Sequence, residues 1–122
     1  MPVEVYKIIH IVGIMLVFMS LGGLCLHMMN AGTKDSNKFR KIVASTHGVG
    51  LVFILVAGFG LLAKYKLSLM ASAWVWPKLL IWFILGGLTV ILYRKPSSAK
   101  ILWAILPLLG MAAAVLAVLK PF

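Results

Sequence analysis

Stretches without any charged residue constrain the fold of this chain more than any other feature of its sequence. They cover residues 8–33, 42–63, 67–77, 79–93 and 101–119. A transmembrane helix needs about 20 predominantly apolar residues, so three of these stretches are long enough to cross a bilayer alone. The two shorter ones are separated only by Lys78, and residues 77–93 make one more crossing with Lys78 near its entrance. The sequence therefore predicts four transmembrane helices, at about 5–29, 40–63, 74–94 and 99–119.

The composition excludes a water-soluble domain. Hydrophobic residues make up 63% of the 122 residues and charged residues 11%, whereas soluble domains are near half apolar and about a quarter charged. The linkers after the first and third spans are short and rich in turn-forming residues, which favours antiparallel neighbours. Because backbone amides in hydrocarbon must be satisfied within each helix, we predict an all-α fold. It is a transmembrane up-down four-helix bundle, with residues 1–122 forming a single integral membrane domain.

Positive charge predicts the partners and the orientation of this bundle. The chain carries 12 Lys and Arg against 2 acidic residues, and these charges lie between the apolar stretches. We therefore expect the lipid bilayer and its anionic lipids as partners, and no nucleic acid. The face with the first and third loops carries seven cations and the opposite face five. The positive-inside rule then puts both termini outside the cytoplasm, and we expect a bacterial inner membrane.

Three histidines lie within the predicted spans, where a polar residue in lipid needs a structural or functional reason. His10 and His27 share the first span but lie roughly 25 Å apart along its axis at 1.5 Å per residue, so they cannot hold one small ligand together. The second span returns antiparallel, and we expect His47 at a depth near that of His27. Gly23 lies one turn before His27 and Gly50 one turn after His47, and such small residues let a backbone or a flat cofactor approach closely.

A histidine pair with small neighbours and apolar walls predicts a haem b held between the first two helices. His27 and His47 are the expected axial ligands of the haem iron, with His10 as the alternate ligand. On this hypothesis the chain is a small b-type haem-binding membrane protein that serves electron transfer or a redox subunit, and its status as an enzyme stays open. Lys78 either anchors the third span at the interface, or faces inward near His10 to meet a haem propionate or a substrate carboxylate.

Two other interpretations stay open. One is a non-catalytic membrane subunit or oligomer-forming protein, either a homo-oligomer or part of a larger membrane complex, whose histidines are interhelical packing groups. The other is a proton or metal conduit along the stripe from His10 through Ser20 to His27. Acid-base catalysis by paired carboxylates is excluded because Glu4 and Asp35 both lie outside the spans, and the sequence has no zinc-ligand spacing and no phosphate loop.

Short motifs along the chain resemble those of the SirB-like integral membrane proteins. They are Tyr6-Lys7-Ile8-Ile9-His10, Arg40-Lys41-Ile42 with Thr46-His47, Gly58-Phe59-Gly60-Leu61-Leu62, and Trp76-Pro77-Lys78-Leu79-Leu80. The resemblance implies a four-helix membrane bundle with His10 and His47 early in its first two helices and Lys78 entering the third.

More distantly, the chain resembles the CopD copper-resistance domain and the HemJ-type protoporphyrinogen oxidases. In the HemJ branch the resemblance further implies b-type haem and oxidation of a porphyrinogen. This chain departs from that branch in helix one, where it has Phe18-Met19-Ser20-Leu21-Gly22-Gly23-Leu24.

Overall fold

A computed structural model of the protein describes residues 2–66, 68 and 73–119. Over these residues the chain forms no β-strand and four long helices: α1 (Val3–Met29), α2 (Arg40–Lys64), α3 (Val75–Arg94) and α4 (Ala99–Leu119). One turn of 3-10 helix, Pro96–Ser98, precedes α4. All four helices are long and apolar enough to cross a membrane. The chain is therefore an all-α four-helix bundle and an integral membrane protein.

Prolines mark the starts of three of these four helices. Pro2 immediately precedes α1, Pro77 lies in the first turn of α3, and Pro96 opens the 3-10 turn before α4. The first amides of a helix have no intrahelical acceptor, so a residue without an N–H group is tolerated there. After α1 the chain turns sharply at Ala31, whose φ is 62°. Each helix begins and ends within two residues of the span predicted from the charges.

The buried apolar core lies between α1, α3 and α4, with α2 on its outside. α2 packs chiefly against α1 and meets α3 at few positions, and it makes no contact with α4 among the described residues. The core residues are Val17, Leu21, Leu24, Cys25 and Met28 of α1, Leu85, Leu88 and Leu92 of α3, and Ala99, Leu102 and Leu106 of α4. We call this set the leucine core. Of the predicted site residues, His10, His47 and Gly50 lie where α2 meets its neighbours.

Candidate functional site

Two glycines bring the backbones of α1 and α2 into direct contact. A Cβ atom built on Gly13 would lie 2.8 Å from the Gly50 carbonyl oxygen, and one built on Gly50 would lie 2.8 Å from the Gly13 carbonyl oxygen. Any larger residue at either position would force the helices apart. Small residues allow this close approach between membrane helices, where packing replaces the hydrophobic effect. We call this pair the glycine contact.

The glycine contact also sets the relative depth of the histidines. Since α1 and α2 run antiparallel, His47, three residues before Gly50, lies level with residue 16, three residues after Gly13. His27 is eleven residues further along α1, roughly 16 Å away along the axis at 1.5 Å per residue. The prediction that His27 and His47 share one depth is therefore wrong. It treated the hairpin as symmetric about its loop, whereas α1 extends beyond the level at which α2 begins.

His27 belongs to the first loop rather than to the helix interface. Its Nε2 atom donates to the carbonyl oxygen of Thr33 at 2.9 Å, and the Ser36 hydroxyl lies 3.4 Å from the same nitrogen. Gly23, predicted to make room beside this ring, has no heavy atom within 4 Å of the position a Cβ would take. The His27 ring therefore closes the loop after α1 instead of facing α2.

His47 connects α2 to α3. Its ring is buried, with 5% of the residue exposed, and its Nε2 atom donates to the carbonyl oxygen of Leu85 at 2.9 Å. Trp82 returns the contact, because its Nε1 atom donates to the carbonyl oxygen of Leu51 at 3.0 Å. The sequence did not reveal this role of Trp82, since a tryptophan near the end of a span is typical of the membrane interface. Two reciprocal side-chain-to-backbone bonds thus join these helices.

His10 crosses from α1 to α2 near the opposite end of the bundle. Its Nδ1 atom donates to the carbonyl oxygen of Ile54 at 3.0 Å, which leaves Nε2 as the acceptor of the neutral ring. Lys78 lies in the first turn of α3, at this end of the bundle as well. The Lys78 ammonium group is also 5.7 Å from the centre of the Trp74 ring. This contact fits the interfacial anchor, and the inward-facing role of Lys78 stays a prediction.

A hydrogen-bonded path along α1 is not formed by the described side chains. The Ser20 hydroxyl donates to Val17 of its own helix at 2.9 Å, and each histidine donates to a backbone carbonyl group. Leu21 and Leu24, which lie between Ser20 and His27, are fully buried and apolar. The geometry therefore does not favour a proton or metal conduit from His10 to His27.

His27 and His47 are not placed to hold one haem between α1 and α2. Axial ligation by His27 and His47 requires an unprotonated nitrogen of each ring directed at one iron atom. The two rings lie at different depths, and because both Nε2 atoms donate to carbonyl oxygens, Nδ1 is the one ligand atom left on each ring. Beside Gly50, the predicted space for a flat ring is filled by the α1 backbone. Within residues 2–66, 68 and 73–119, no group of three or more His, Cys, Asp or Glu side chains is arranged to hold a metal ion. Haem binding stays a prediction for spectroscopy.

Compared with known proteins, the chain matches no protein-family model, no curated protein and no solved structure.

Proposed function

We propose that this chain is a non-catalytic integral membrane subunit whose histidines are interhelical packing groups. One observation carries the proposal. His10 and His47, the two histidines inside the bundle, each donate a ring N–H to a backbone carbonyl oxygen of the next helix, on Ile54 and Leu85. The bonds join α1 to α2 and α2 to α3, which is the work of a packing group. The second nitrogen of each neutral ring keeps its lone pair, so the spectrum described below tests whether either ring also ligates a metal.

The outer surface of α4 supports an association role. Ala112 and Ala114 are exposed on different faces of the second half of this helix, whereas Gly110 packs against Phe18 of α1. Small residues on a lipid-facing surface let a second membrane helix approach closely. We therefore expect the chain to associate through α4, either as a homo-oligomer or within a larger membrane complex. The resemblance to the SirB-like proteins agrees with a bundle of this kind and brings no chemistry with it.

The distribution of charge supports an orientation for the chain in the membrane. We expect the chain in a bacterial inner membrane with both termini outside the cytoplasm, because seven cations lie on the face of the first and third loops and five on the other. Reporter fusions at the two termini measure this orientation. A cytoplasmic signal from either fusion would reverse the assignment.

The first test of the proposed function is an oxidised-minus-reduced absorbance spectrum of the detergent-purified chain, expressed in haem-replete cells. We expect no Soret band and no α band in stoichiometric amount. Native mass spectrometry of the same sample should then detect an oligomer without a bound cofactor mass. Slow thiol labelling of the buried Cys25, the only cysteine, shows that the sample is folded.

The haem hypothesis makes the opposite prediction for the same sample. A stoichiometric α band that disappears in His10→Ala or His47→Ala would overturn the packing role and establish a b-type haem protein. In that case the variants identify the ligands directly. His27→Ala tests the pair expected from the sequence: loss of the α band in this variant would make His27 a ligand, whereas its bonds to the loop after α1 predict an unchanged spectrum.

A further inference from the structure

A cleft opens between α2 and α3 at the end of the bundle that carries the first and third loops. Its volume is about 740 Å³, and residues of α1, α2, α3 and the first loop line it. The cleft exists because α2 meets α3 at few positions beyond the bonds of His47 and Trp82. We call it the cationic cleft for the four side chains at its mouth, Lys34, Arg40, Lys41 and Arg94.

The charges at this mouth are not balanced by the protein. Arg40 pairs with Asp35 at 3.3 Å, but the Asp35 side chain is 98% exposed, so water screens the pair. No carboxylate forms an ion pair with Lys34, Lys41 or Arg94 within the described ranges. The lining of the cleft contains no acidic residue. The protein therefore concentrates positive charge at one place on its surface, where an anion would be attracted.

The start of α2 adds to this positive potential. The first turn of α2 contains Arg40 and Lys41 and no acidic residue, and no side chain caps its amides. A helix N-terminus carries a partial positive charge and exposed N–H donors, so cations there are unfavourable and anions are favourable. An anion bound beside this end would therefore stabilise α2.

The wall beside these cations is held in place by hydrogen bonds. Asn37, with 8% of the residue exposed, donates through Nδ2 to the Tyr93 hydroxyl at 3.1 Å, and its Oδ1 atom accepts from the Phe39 amide. The Lys34 ammonium group lies 5.9 Å from the centre of the Tyr93 ring. The first loop is thus fixed to the end of α3, which keeps the mouth of the cleft assembled without a ligand.

The body of the cleft is apolar and faces the bilayer. Val43 and Ala44 of α2 and Val90 of α3 line it, and both Ala44 and Val90 are exposed on the outer surface. His47 and Thr89 line it as well, one to two helical turns from the cations along the sequence. Cations at a membrane interface above an apolar channel match a molecule with an anionic head and a hydrocarbon chain.

We propose that the cationic cleft holds one anionic phospholipid, with its phosphate among Lys34, Lys41 and Arg94 and an acyl chain against Val43, Ala44 and Val90. The phosphate supplies the counter-charge that the three cations lack. The acyl chain fills the space between α2 and α3 that protein side chains leave. This site does not depend on whether the histidines bind a cofactor, so it stands or fails separately from the proposed function.

The experiment uses the full chain in detergent, with phosphatidylglycerol and phosphatidylcholine of identical acyl chains as probes. Native mass spectrometry counts the lipid molecules that stay bound as detergent is removed in the instrument. We expect one tightly held phosphatidylglycerol, with a preference over phosphatidylcholine of roughly tenfold, as one or two interfacial cations supply. The preference should fall as ionic strength rises.

Two pairs of substitutions separate a local site from general surface charge. The variant Lys41→Gln with Arg94→Gln removes two cations of the cleft and should abolish the preference. The control Lys38→Gln with Lys95→Gln removes two exposed cations from the same loops outside the cleft lining and should keep it. Equal loss in both variants would overturn the proposal, as would equal retention of the two lipids by the wild-type chain.

A third variant tests the place of the acyl chain. Ala44→Trp fills the apolar wall without changing any charge, and it should displace the lipid while surface electrostatics stay the same. Retention of the preference in Ala44→Trp would exclude the acyl chain from the cleft. If inorganic phosphate alone displaces the lipid, the cleft binds an anion and does not recognise the acyl chain. Slow labelling of Cys25 confirms the fold of each variant, and the wild-type lipid preference decides the matter if a variant does not fold.

Discussion

α2 is attached to this bundle in a different way from the other three helices. α1, α3 and α4 interlock large aliphatic side chains in the leucine core, whereas α2 buries mainly small or polar residues, among them His47, Gly50 and Ala57. Lipid tails solvate a leucine about as well as another helix does, so close packing and hydrogen bonds must hold helices together in a membrane. The leucine core depends on close packing, which is shared among many residues. α2 depends on a few identifiable contacts, each of which one substitution can remove.

Gly50→Leu should have the largest effect, because it removes the close approach of α2 to α1. The added side chain meets the Gly13 carbonyl oxygen and the side chain of Val17, and a methylene chain has no room there. We expect a loss of about 3 kcal/mol in the free energy of unfolding, the upper range for overpacked sites. Titration with sodium dodecyl sulfate, followed by labelling of Cys25, measures it.

Gly48→Ala is the matched control on the same helix. A Cβ at this position has no heavy atom within 4 Å, so the gain in helix propensity should stabilise α2 by about 0.5–1 kcal/mol. Wild-type stability in Gly50→Leu would show that the two backbones do not touch.

Leu21→Ala tests the leucine core and should have an intermediate effect on the free energy of unfolding. Leu21 is fully buried in the leucine core, so truncation leaves a cavity. We expect a loss of about 2 kcal/mol, at the low end of the range for core leucines because detergent also solvates this side chain in the unfolded chain. The label should reach Cys25 faster in this variant.

Leu26→Ala, at a position that is 52% exposed on the same helix, should change stability by less than about 0.5 kcal/mol. Equal losses at the two positions would refute a core between α1, α3 and α4.

His47→Ala should have the smallest of the three effects. It removes the bond to the Leu85 carbonyl oxygen, and such bonds in membrane proteins contribute about 1 kcal/mol. The free energy of unfolding, measured by the same titration, should fall by that amount, and His47→Gln should recover part of it because an amide also donates. His27→Ala should change stability by less than about 0.5 kcal/mol, since its bond lies in an exposed loop. A larger loss from His27→Ala than from His47→Ala would reverse the roles assigned to the two rings.

The spans were predictable because charge and length alone decide which segments can cross a bilayer, and the helices accordingly lie within two residues of them. The small residue beside His47 was also recognisable as a point of close approach. The sequence left open whether a backbone or a cofactor approaches Gly50, and the structure has the α1 backbone there. Composition does not distinguish these two cases, since a glycine suits both.

The depth of the histidines was not predictable from the sequence. Hairpin register depends on which residues of α1 and α2 interlock, and the position of the loop does not fix it. The hydrogen-bond partners of His10, His47 and Trp82 are backbone carbonyl oxygens, which every residue has, so no sequence pattern marks them. The cationic cleft requires the spacing of α2 and α3, which the sequence does not give. Lys34, Arg40, Lys41 and Arg94 were visible only as part of an excess of charge on one face.

The stagger of α1 past α2 bears on the bilayer thickness that suits this protein. α1 has 27 residues and α3 has 20, so at 1.5 Å per residue they are about 40 Å and 30 Å long. A hydrocarbon layer about 30 Å thick matches α3 and leaves about 10 Å of α1 to tilt or to stand in the headgroup layer. Because α1 exceeds α2 at the end near the first loop, the excess turns carry His27 into that layer, among water and lipid headgroups. In a membrane with a thicker hydrocarbon layer, the last turns of α1 and the cations that follow them would lie nearer to the lipid tails.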